Sequence, residues 1–193
     1  MVVHLETDRL TLRRLTTDDL DNLVELDSDP EVMRYLTGGR PTPRGWLRDE
    51  ALPKMLAHYD RGDAYGYWAL AAGADPGFLG WVGFRPDAGL EPAADVDRSG
   101  IEVGYRLRRA AWGQGYATEA CRALVRRGFE ELGVERVYAE TMAVNAASRR
   151  VMEKTGLRHL ATFFPDWPEP IPGAEHGEVQ YALTRDEWRS VNR

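Results

Sequence analysis

The sequence of 193 residues contains one cysteine, Cys121. A single cysteine excludes an intramolecular disulfide and is typical of proteins from reducing compartments. Long apolar runs are also missing, since no stretch approaches the roughly 20 apolar residues that a membrane helix needs. Residues 1–10 are charged and lack the apolar core of a secretion signal. We therefore expect a cytoplasmic protein with no membrane partner.

Positive charge is scarce, because 25 lysines and arginines stand against 31 aspartates and glutamates, for a formal net charge of −6. This balance argues against nucleic-acid binding as the main function and is compatible with a cationic substrate. No metal site is predicted, because the histidines are widely separated and lack metal-ligand spacing. They are His4, His58, His159 and His176. The length, with 43% hydrophobic residues, fits a single domain over 1–193 with a core at about 8–187.

Two glycines, Gly113 and Gly115, lie between a predicted strand at 101–108 and a predicted helix that ends before Gly133. The apolar residues of that helix recur with helical spacing. The first turn of a helix carries unpaired N–H groups and the positive end of a dipole, and glycines let an anion approach them. We therefore predict a phosphate-binding turn, while the glycine pair alone also fits a simple tight connection.

Two familiar phosphate loops do not fit this turn. The dinucleotide fingerprint needs a third glycine where the chain has Thr118, and the P-loop needs Gly-Lys-Ser/Thr at its end. A second pattern follows about thirty residues later, where Asn145 and Ser148 begin a predicted helix that ends at Gly156. Taken alone, these two residues fit a helix N-cap and a first-turn position.

The wording W-G-Q-G-Y-A at residues 112–117 resembles the coenzyme A pyrophosphate loop of the GNAT superfamily of N-acetyltransferases. Gly115 and Ala117 fill its small-residue positions, and Trp112 stands where Gln or Arg is usual. Three longer sequence segments resemble those of one branch of the superfamily, the ribosomal-protein N-terminal acetyltransferases and their relatives. They are E-T-D-R-L-T-L-R-R-L-T-T-D-D-L, W-G-Q-G-Y-A-T-E-A and N-A-A-S-R-R-V-M-E-K-T-G-L. The resemblance covers nearly the whole chain.

The order of the predicted elements indicates an α+β fold, a mixed α/β sandwich. The resemblance implies the GNAT-like topology, a curved mixed sheet flanked by helices in which the central parallel strands, about 101–108 and 136–142, splay apart. Acetyl-CoA would lie in that split. The other predicted strands are 5–13, 65–72, 78–85, 157–164 and 179–183. The other predicted segments are helices from about 20, at 46–58 and at 145–154, a hairpin turn at 73–77 and a loop at 86–100.

The resemblance also implies a donor site around the glycine turn. Backbone N–H groups of 113–118 would bind the diphosphate, with help from Arg108 or Arg109. The residues assigned to acetyl-CoA are Tyr105, Leu107, Arg108, Arg109, Trp112, Gly113, Gln114, Gly115, Tyr116, Ala117, Thr118, Asn145 and Ser148. An N–H group near 103–105 would hold the developing oxyanion. Arg149 or Arg150 is a candidate for the 3′-phosphate.

Acetyl transfer to an amine also needs a proton acceptor and a group at the leaving sulfur. Glu102 is the first candidate base and Glu140 the second, with a salt-bridged structural role as the alternative for Glu102. Ser148, together with Asn145, is assigned to the thiolate, because many relatives place an acid tyrosine where this chain has Met152. We expect Glu102→Gln to lower turnover with little change in acetyl-CoA affinity.

The sequence thus predicts an acetyl-CoA-dependent N-acetyltransferase that moves an acetyl group directly to an amine acceptor, a protein N-terminus or a small molecule. An α-amine is already unprotonated about a tenth of the time at pH 7, so a weak base or a water chain would serve it. The alternatives are a non-catalytic acyl-CoA-binding module of the same fold and an interaction domain without a CoA site. We expect Cys121 to be a packed thiol and the protein to be a monomer or homodimer.

Overall fold

The computed structural model describes residues 2–73, 77–86 and 96–192. Within these ranges, eight strands form one mixed sheet in the order β1-β2-β3-β4-β5-β6-β8-β7. The strands are β1 Val3–Glu6, β2 Leu10–Arg14, β3 Gly66–Ala72, β4 Gly80–Pro86, β5 Ile101–Leu107, β6 Arg136–Met142, β7 Arg158–Phe163 and β8 Glu178–Thr184. The β5–β6 pairing is parallel, and the β1–β2, β2–β3, β3–β4, β6–β8 and β7–β8 pairings are antiparallel.

Helices cluster between β2 and β3 and then alternate with the later strands. They are α1 Leu20–Ser28, α2 Pro30–Thr37, α3 Arg44–Trp46, α4 Leu52–Ala57, α5 Tyr116–Glu130, α6 Ala146–Thr155 and α7 Arg185–Val191. A π-helical stretch, Leu47–Ala51, joins α3 to α4. In the described ranges no helix has the length and apolar character to cross a membrane. This arrangement of strands and helices confirms the predicted mixed α+β class.

The chain divides into two compact units. The first comprises residues 1–84 and 105–120, and the second comprises 85–104 and 121–193. The core of the first unit is built where helical spacing brings apolar side chains to one face of α1, of α2 and of the segment from 44 to 57. Its buried members are Leu15, Leu23, Leu26, Val32, Met33, Leu47, Leu52, Met55, Ala69 and Phe78.

In the second unit, β6 and β8 carry different chemistry on their two faces, because successive side chains of a strand point to opposite sides. One face is apolar and buried: Val137 pairs with Leu183, and Ala139 pairs with Tyr181. On the other face the register pairs polar side chains, Glu102↔Tyr138 and Glu140↔Gln180, and places Glu178 opposite Met142. We call this the polar face, and it comprises Glu102, Tyr138, Glu140, Glu178 and Gln180.

The prediction of one strand over 5–13 is wrong, because the structure has two strands, β1 and β2, with a turn between them. The Thr7 N–H donates to the Leu10 carbonyl at 2.9 Å, and the Leu10 N–H donates to Thr7 Oγ1 at 3.0 Å. A threonine hydroxyl that bonds nearby backbone competes with the strand ladder, so the chain reverses here.

The helix predicted at 46–58 begins earlier, at Arg44, and widens into a π-helix directly before Pro53. A proline lacks an N–H group and its ring clashes with the carbonyl four residues earlier, which a local π turn relieves. The helix predicted from about 20 is confirmed as α1, which ends at Ser28, and α2 begins at Pro30. Residues 74–76 of the predicted turn and 87–95 of the predicted loop lie outside the described residues.

Candidate active site

The turn between β5 and α5 lies in the first unit. After Leu107, a 3₁₀ turn at Arg109–Ala111 leads to Trp112, whose indole Nε1 donates to the Leu107 carbonyl at 2.9 Å. Gly113 and Gly115 have φ angles of +75° and +83°, in the left-handed region that favours glycine. The two glycines therefore allow the chain to change direction sharply before it enters helix α5.

The backbone of this turn is open to an anion. Across the described ranges, the N–H groups of 113–118 donate no hydrogen bond to another protein group. A Cβ at Gly113 would meet no atom within 4 Å. Exposed residues are Trp112, Gly113, Gln114 and Gly115, and half-buried or buried residues are Tyr105, Leu107, Tyr116, Ala117 and Thr118. Unpaired N–H groups at a helix start fit a diphosphate.

Arg9 and Glu119 tie the turn to the N-terminal strands of the first unit. Thr7 Oγ1 donates to Glu119 Oε1 at 2.6 Å, and Arg9 Nη2 lies 2.5 Å from Glu119 Oε2. Arg9 also donates to the Gln114 carbonyl at 2.9 Å, and its guanidinium lies over the Tyr116 ring. Burial disfavours the Glu119 carboxylate, but hydrogen bonds from Thr7 and Arg9 outweigh it and lower its pKa. This contact could not be predicted from the sequence, because its partners are 110 or more residues apart.

Arg108 and Arg109 were both assigned to the diphosphate, and each has a carboxylate neighbour in the first unit. Arg108 Nη2 lies 2.8 Å from Glu25 Oε2, and its guanidinium lies over the Phe78 ring. Arg109 Nε lies 3.5 Å from Asp29 Oδ2, and 64% of its side chain is exposed. The longer contact and greater exposure favour Arg109 as an anion ligand. Both assignments stay predictions.

Asn145 and Ser148 lie in the second unit at the start of α6. Asn145 caps the helix, since its Oδ1 accepts the Ser148 N–H at 3.2 Å and its Nδ2 donates to Thr141 Oγ1 at 3.1 Å. Both residues are half-buried. The cap is confirmed, and their roles beside the sulfur stay predictions. Met152 is 3% exposed, so this position contributes packing rather than an acid.

Three further assignments concern side chains of the second unit. Cys121 is 1% exposed and burial raises the pKa of its thiol, which confirms a packed thiol. Arg149 donates to the Ala143 carbonyl at 3.0 Å, and Arg150 lies 3.5 Å from Glu153. A role for either arginine at the 3′-phosphate stays a prediction.

Glu102 and Glu140, the two predicted bases, each hold an arginine on the polar face. Glu102 Oε2 lies 2.7 Å from Arg85 Nη2, and both side chains are nearly buried. Glu140 Oε2 lies 2.8 Å from Arg98 Nη2, and Glu140 Oε1 accepts from Gln180 Nε2 at 2.9 Å. Protonation of either carboxylate would remove the negative charge that faces its arginine. The geometry therefore favours a salt-bridged role for Glu102, whose assignment as a base stays a prediction.

Tyr138 and Glu178 complete the polar face, and neither was predicted as a functional residue. Tyr138 is fully buried, and its hydroxyl has no hydrogen-bond partner among the residues that the structure describes. Burial, together with the neighbouring Glu102 and Glu140, raises the pKa of Tyr138 to about 12. Burial and the Glu140 carboxylate raise the pKa of Glu178 to about 7. The sequence signal that could have identified them is their spacing, because each lies two residues from another polar residue on its strand, Glu140 for Tyr138 and Gln180 for Glu178.

Comparison with known proteins decides the family. A family model described as an acetyltransferase (GNAT) domain matches residues 9–158. The chain belongs to the GNAT acetyltransferases. This GNAT acetyltransferase is 39% identical to the FsC-acetyl coenzyme A-N(2)-transacetylase of Aspergillus fumigatus, over 98% of this chain and 79% of that protein.

Two solved structures share the fold of this acetyltransferase. One is the ribosomal L7/L12 α-N-protein acetyltransferase RimL in complex with coenzyme A, with a TM-score of 0.74, 17% identity, and coverage of 96% of this chain and 99% of that chain. The other is the aminoglycoside acetyltransferase AAC(6′)-Ib in complex with coenzyme A, with a TM-score of 0.71, 20% identity, and coverage of 95% and 99%. The predicted superfamily, fold and N-acetyltransferase class are confirmed.

Proposed function

We propose that this GNAT acetyltransferase uses acetyl-CoA to acetylate an α-amine, on a small molecule or at a protein N-terminus. The observation that carries the proposal is the turn at 113–118, with two glycines at positive φ and N–H groups that donate to no protein group in the described ranges. The name of the Aspergillus relative specifies acetyl coenzyme A and an N(2) position. RimL is named for α-N-protein acetylation. Both names support an α-amine acceptor.

The chain's own groups then have separate tasks in the transfer. Acetyl-CoA supplies an activated thioester when it is bound. The N–H groups of 113–118 and the dipole of α5 hold its diphosphate, and an N–H group near 103–105 holds charge on the acetyl oxygen. Asn145 and Ser148 stabilise the leaving sulfur by hydrogen bonds, which suffices because thiols ionise near pKa 8.5.

An acetylation assay with a panel of amines, read by mass, tests this function. The panel contains amino-acid amides, short peptides with free N-termini, lysine side-chain analogues, aminoglycosides and polyamines. We expect a mass increase of one acetyl group, and stoichiometric free CoA, with α-amines first. Thermal stabilisation by CoA without acetylation across the panel would establish the non-catalytic binding module instead. Absence of any stabilisation by CoA would remove the donor site.

Two aspartate variants test the role of the turn. Gly113 and Gly133 have similar φ angles, +75° and +68°, and a Cβ at either meets no atom within 4 Å. Gly113→Asp places a negative charge beside the proposed diphosphate, whereas Gly133→Asp places it after the other end of α5. We expect Gly113→Asp to raise the KM for acetyl-CoA about tenfold or more, which corresponds to about 1.4 kcal/mol of binding free energy. Equal KM values in the two variants would contradict the assignment of the turn.

A further inference from the structure

The polar face of the second unit carries three glutamates, and two of them are balanced by arginines. Glu102 holds Arg85, and Glu140 holds Arg98. Glu178 forms no ion pair or hydrogen bond with any residue that the structure describes. One carboxylate of the three is therefore available for a cation that comes from outside the protein.

The surroundings of Glu178 explain why it lacks a cation. Its neighbour across β6 is Met142, and Glu140 lies one alternate position further along that strand. Across β7 it faces Phe163, and the Arg98 guanidinium that lies over the Phe163 ring already pairs with Glu140. Gln180 is the next residue on the same face of β8. The nearby His176 and Glu175 contact each other at 3.6 Å, and His176 lines a cavity with Val179 on the opposite face.

A second observation on the polar face points to a polar ligand. The Tyr138 hydroxyl is fully buried between Glu102 and Glu140 in the strand register, and it has no hydrogen-bond partner in the described part of the chain. A buried hydroxyl without a partner has lost its hydrogen bonds to water and has gained none in return. Native proteins rarely keep such a group in a core unless it has a further role.

Resting on the proposed function, we propose that the polar face receives the acceptor and that Glu178 takes the proton from its ammonium group. Glu102 and Glu140 would then be positioning residues, because their carboxylates hold Arg85 and Arg98. The acceptor binds as a cation, which the unbalanced carboxylate attracts, and loses its proton at the same residue. This arrangement assigns the base to a glutamate at the start of β8 rather than to the central strand.

Acetyl transfer from acetyl-CoA to an ammonium group releases one proton overall. An N–H bond of the ammonium group breaks, and the proton passes to a carboxylate oxygen of Glu178. The nitrogen lone pair then forms a C–N bond to the acetyl carbon, and the C–S bond breaks with its electron pair on sulfur. The nitrogen loses a second proton, and the thiolate gains one to leave as CoA thiol. Glu178 returns its proton to water, so the net products are the acetamide, CoA thiol and one proton.

The pH dependence of kcat/KM for the acceptor tests the proposal on the wild-type enzyme, because this ratio reports ionisations of the free enzyme. Glu178 must be ionised and its pKa is about 7, so kcat/KM should rise with pH through a midpoint near 7. The measurement uses two accepted amines whose own pKa values differ, such as an α-amine near 8 and an alkyl amine near 10. The midpoint of this rise should be the same for both amines. A midpoint that follows the pKa of the amine would overturn the role of Glu178.

Glu178→Gln tests the same residue directly, with Glu175→Gln as the control for loss of a nearby exposed glutamate. We expect Glu178→Gln to lower kcat/KM at pH 7 by about tenfold for the α-amine and by about 10³-fold for the alkyl amine, because only the unprotonated fraction of each amine then reacts. The midpoint should then follow the amine, while the KM for acetyl-CoA and the thermal shift with CoA stay unchanged. Glu175→Gln should keep the wild-type profile. An unchanged profile in Glu178→Gln would refute the inference and leave the acetyltransferase function standing, whereas wild-type enzyme inactive on every amine would remove both.

A measurement of stability gives a readout that does not depend on turnover. A carboxyl whose pKa is raised on folding, from 4.5 to about 7 for Glu178, binds more protons in the folded state between these pH values. The free energy of unfolding therefore falls as pH rises through this window. Glu178→Gln should remove that part of the slope and Glu175→Gln should not. The same slope in wild type and Glu178→Gln would contradict the inferred proton affinity of Glu178.

Discussion

At the scale of single residues, the three glutamates of the polar face differ in whether an arginine pairs with their carboxylate. Glu102, Glu140 and Glu178 share one face of the same sheet, and their sequence neighbourhoods are similarly mixed in polarity. Arg85 and Arg98 pair with the first two, and in the described ranges no arginine pairs with the third. Residue type and a place on the central strand made Glu102 the first candidate base, whereas the pairing of the carboxylates is the reason why we propose Glu178 instead.

The Arg85–Glu102 pair gives a prediction for stability at this scale. Both side chains are nearly buried, at 10% and 12% exposed. Removing one charge of a buried pair is strongly destabilising, so we expect Glu102→Gln to lower the free energy of unfolding by about 3–5 kcal/mol. The double variant Arg85→Met/Glu102→Leu should lose less than this single variant. Urea unfolding measures both, and a double variant less stable than Glu102→Gln would contradict a mainly electrostatic cost.

At the scale of elements, the turn before α5 is held by side chains from the N-terminal strands. Arg9 contacts Glu119 in the first turn of the helix and the carbonyl of Gln114 inside the turn. Thr7, which ends β1 with its own hydrogen bonds, donates to the same Glu119 carboxylate. One glutamate therefore connects the end of a hairpin to the start of a helix, and its loss should loosen the turn without removing any N–H group.

We expect Glu119→Ala to raise the KM for acetyl-CoA about fivefold with little change in kcat, because about 1 kcal/mol of preorganisation is lost. Asp63→Asn, which removes an exposed carboxylate that pairs with Arg14 in the same unit, is the control. The pKa of Glu119 is lowered from 4.5, so its contribution to stability is present above pH 4.5 and is lost as pH falls below it. A drop in kcat alone, with KM unchanged, would show that the turn does not need this contact.

At the scale of the whole molecule, the compact units do not follow the order of the chain. Strand β5 and helix α5 each contribute residues to both units, since the boundaries fall after Gly104 and Ala120. Cys121 is the first residue of α5 in the second unit, and it is buried in that unit. Cys121 is the only cysteine in the sequence. Chemical labelling of its thiol therefore reports opening of the structure around this helix.

Labelling of Cys121 with a chromogenic disulfide reagent tests this burial. We expect little reaction in native buffer at pH 8, because the thiol is 1% exposed and burial raises its pKa. One equivalent should react rapidly in denaturant, and CoA should slow the native reaction if it stabilises the fold. Rapid stoichiometric labelling of the native protein would contradict the packed position of Cys121.

The sequence by itself determined the family, the class of fold, most element boundaries and the glycine turn. These features depend on contacts between neighbours in the chain: alternation in β6 and β8, helical spacing in α5, and glycines at positive φ. The strand predicted at 5–13 was wrong because the Thr7 hydroxyl oxygen accepts the N–H of Leu10 in a turn that follows β1. That contact is local, but the alternation of apolar and polar residues over 5–13 does not indicate it.

Only the tertiary structure decided which carboxylate is paired and what holds the turn. The partners of Glu119 are 110 or more residues away, and Glu140 is 42 residues from Arg98. Strand register brings Glu102, Tyr138 and Glu178 to one face, although no spacing along the chain relates them. The charge state of a buried group depends on solvent exclusion and on the charges packed around it, and both arise only when distant segments come together.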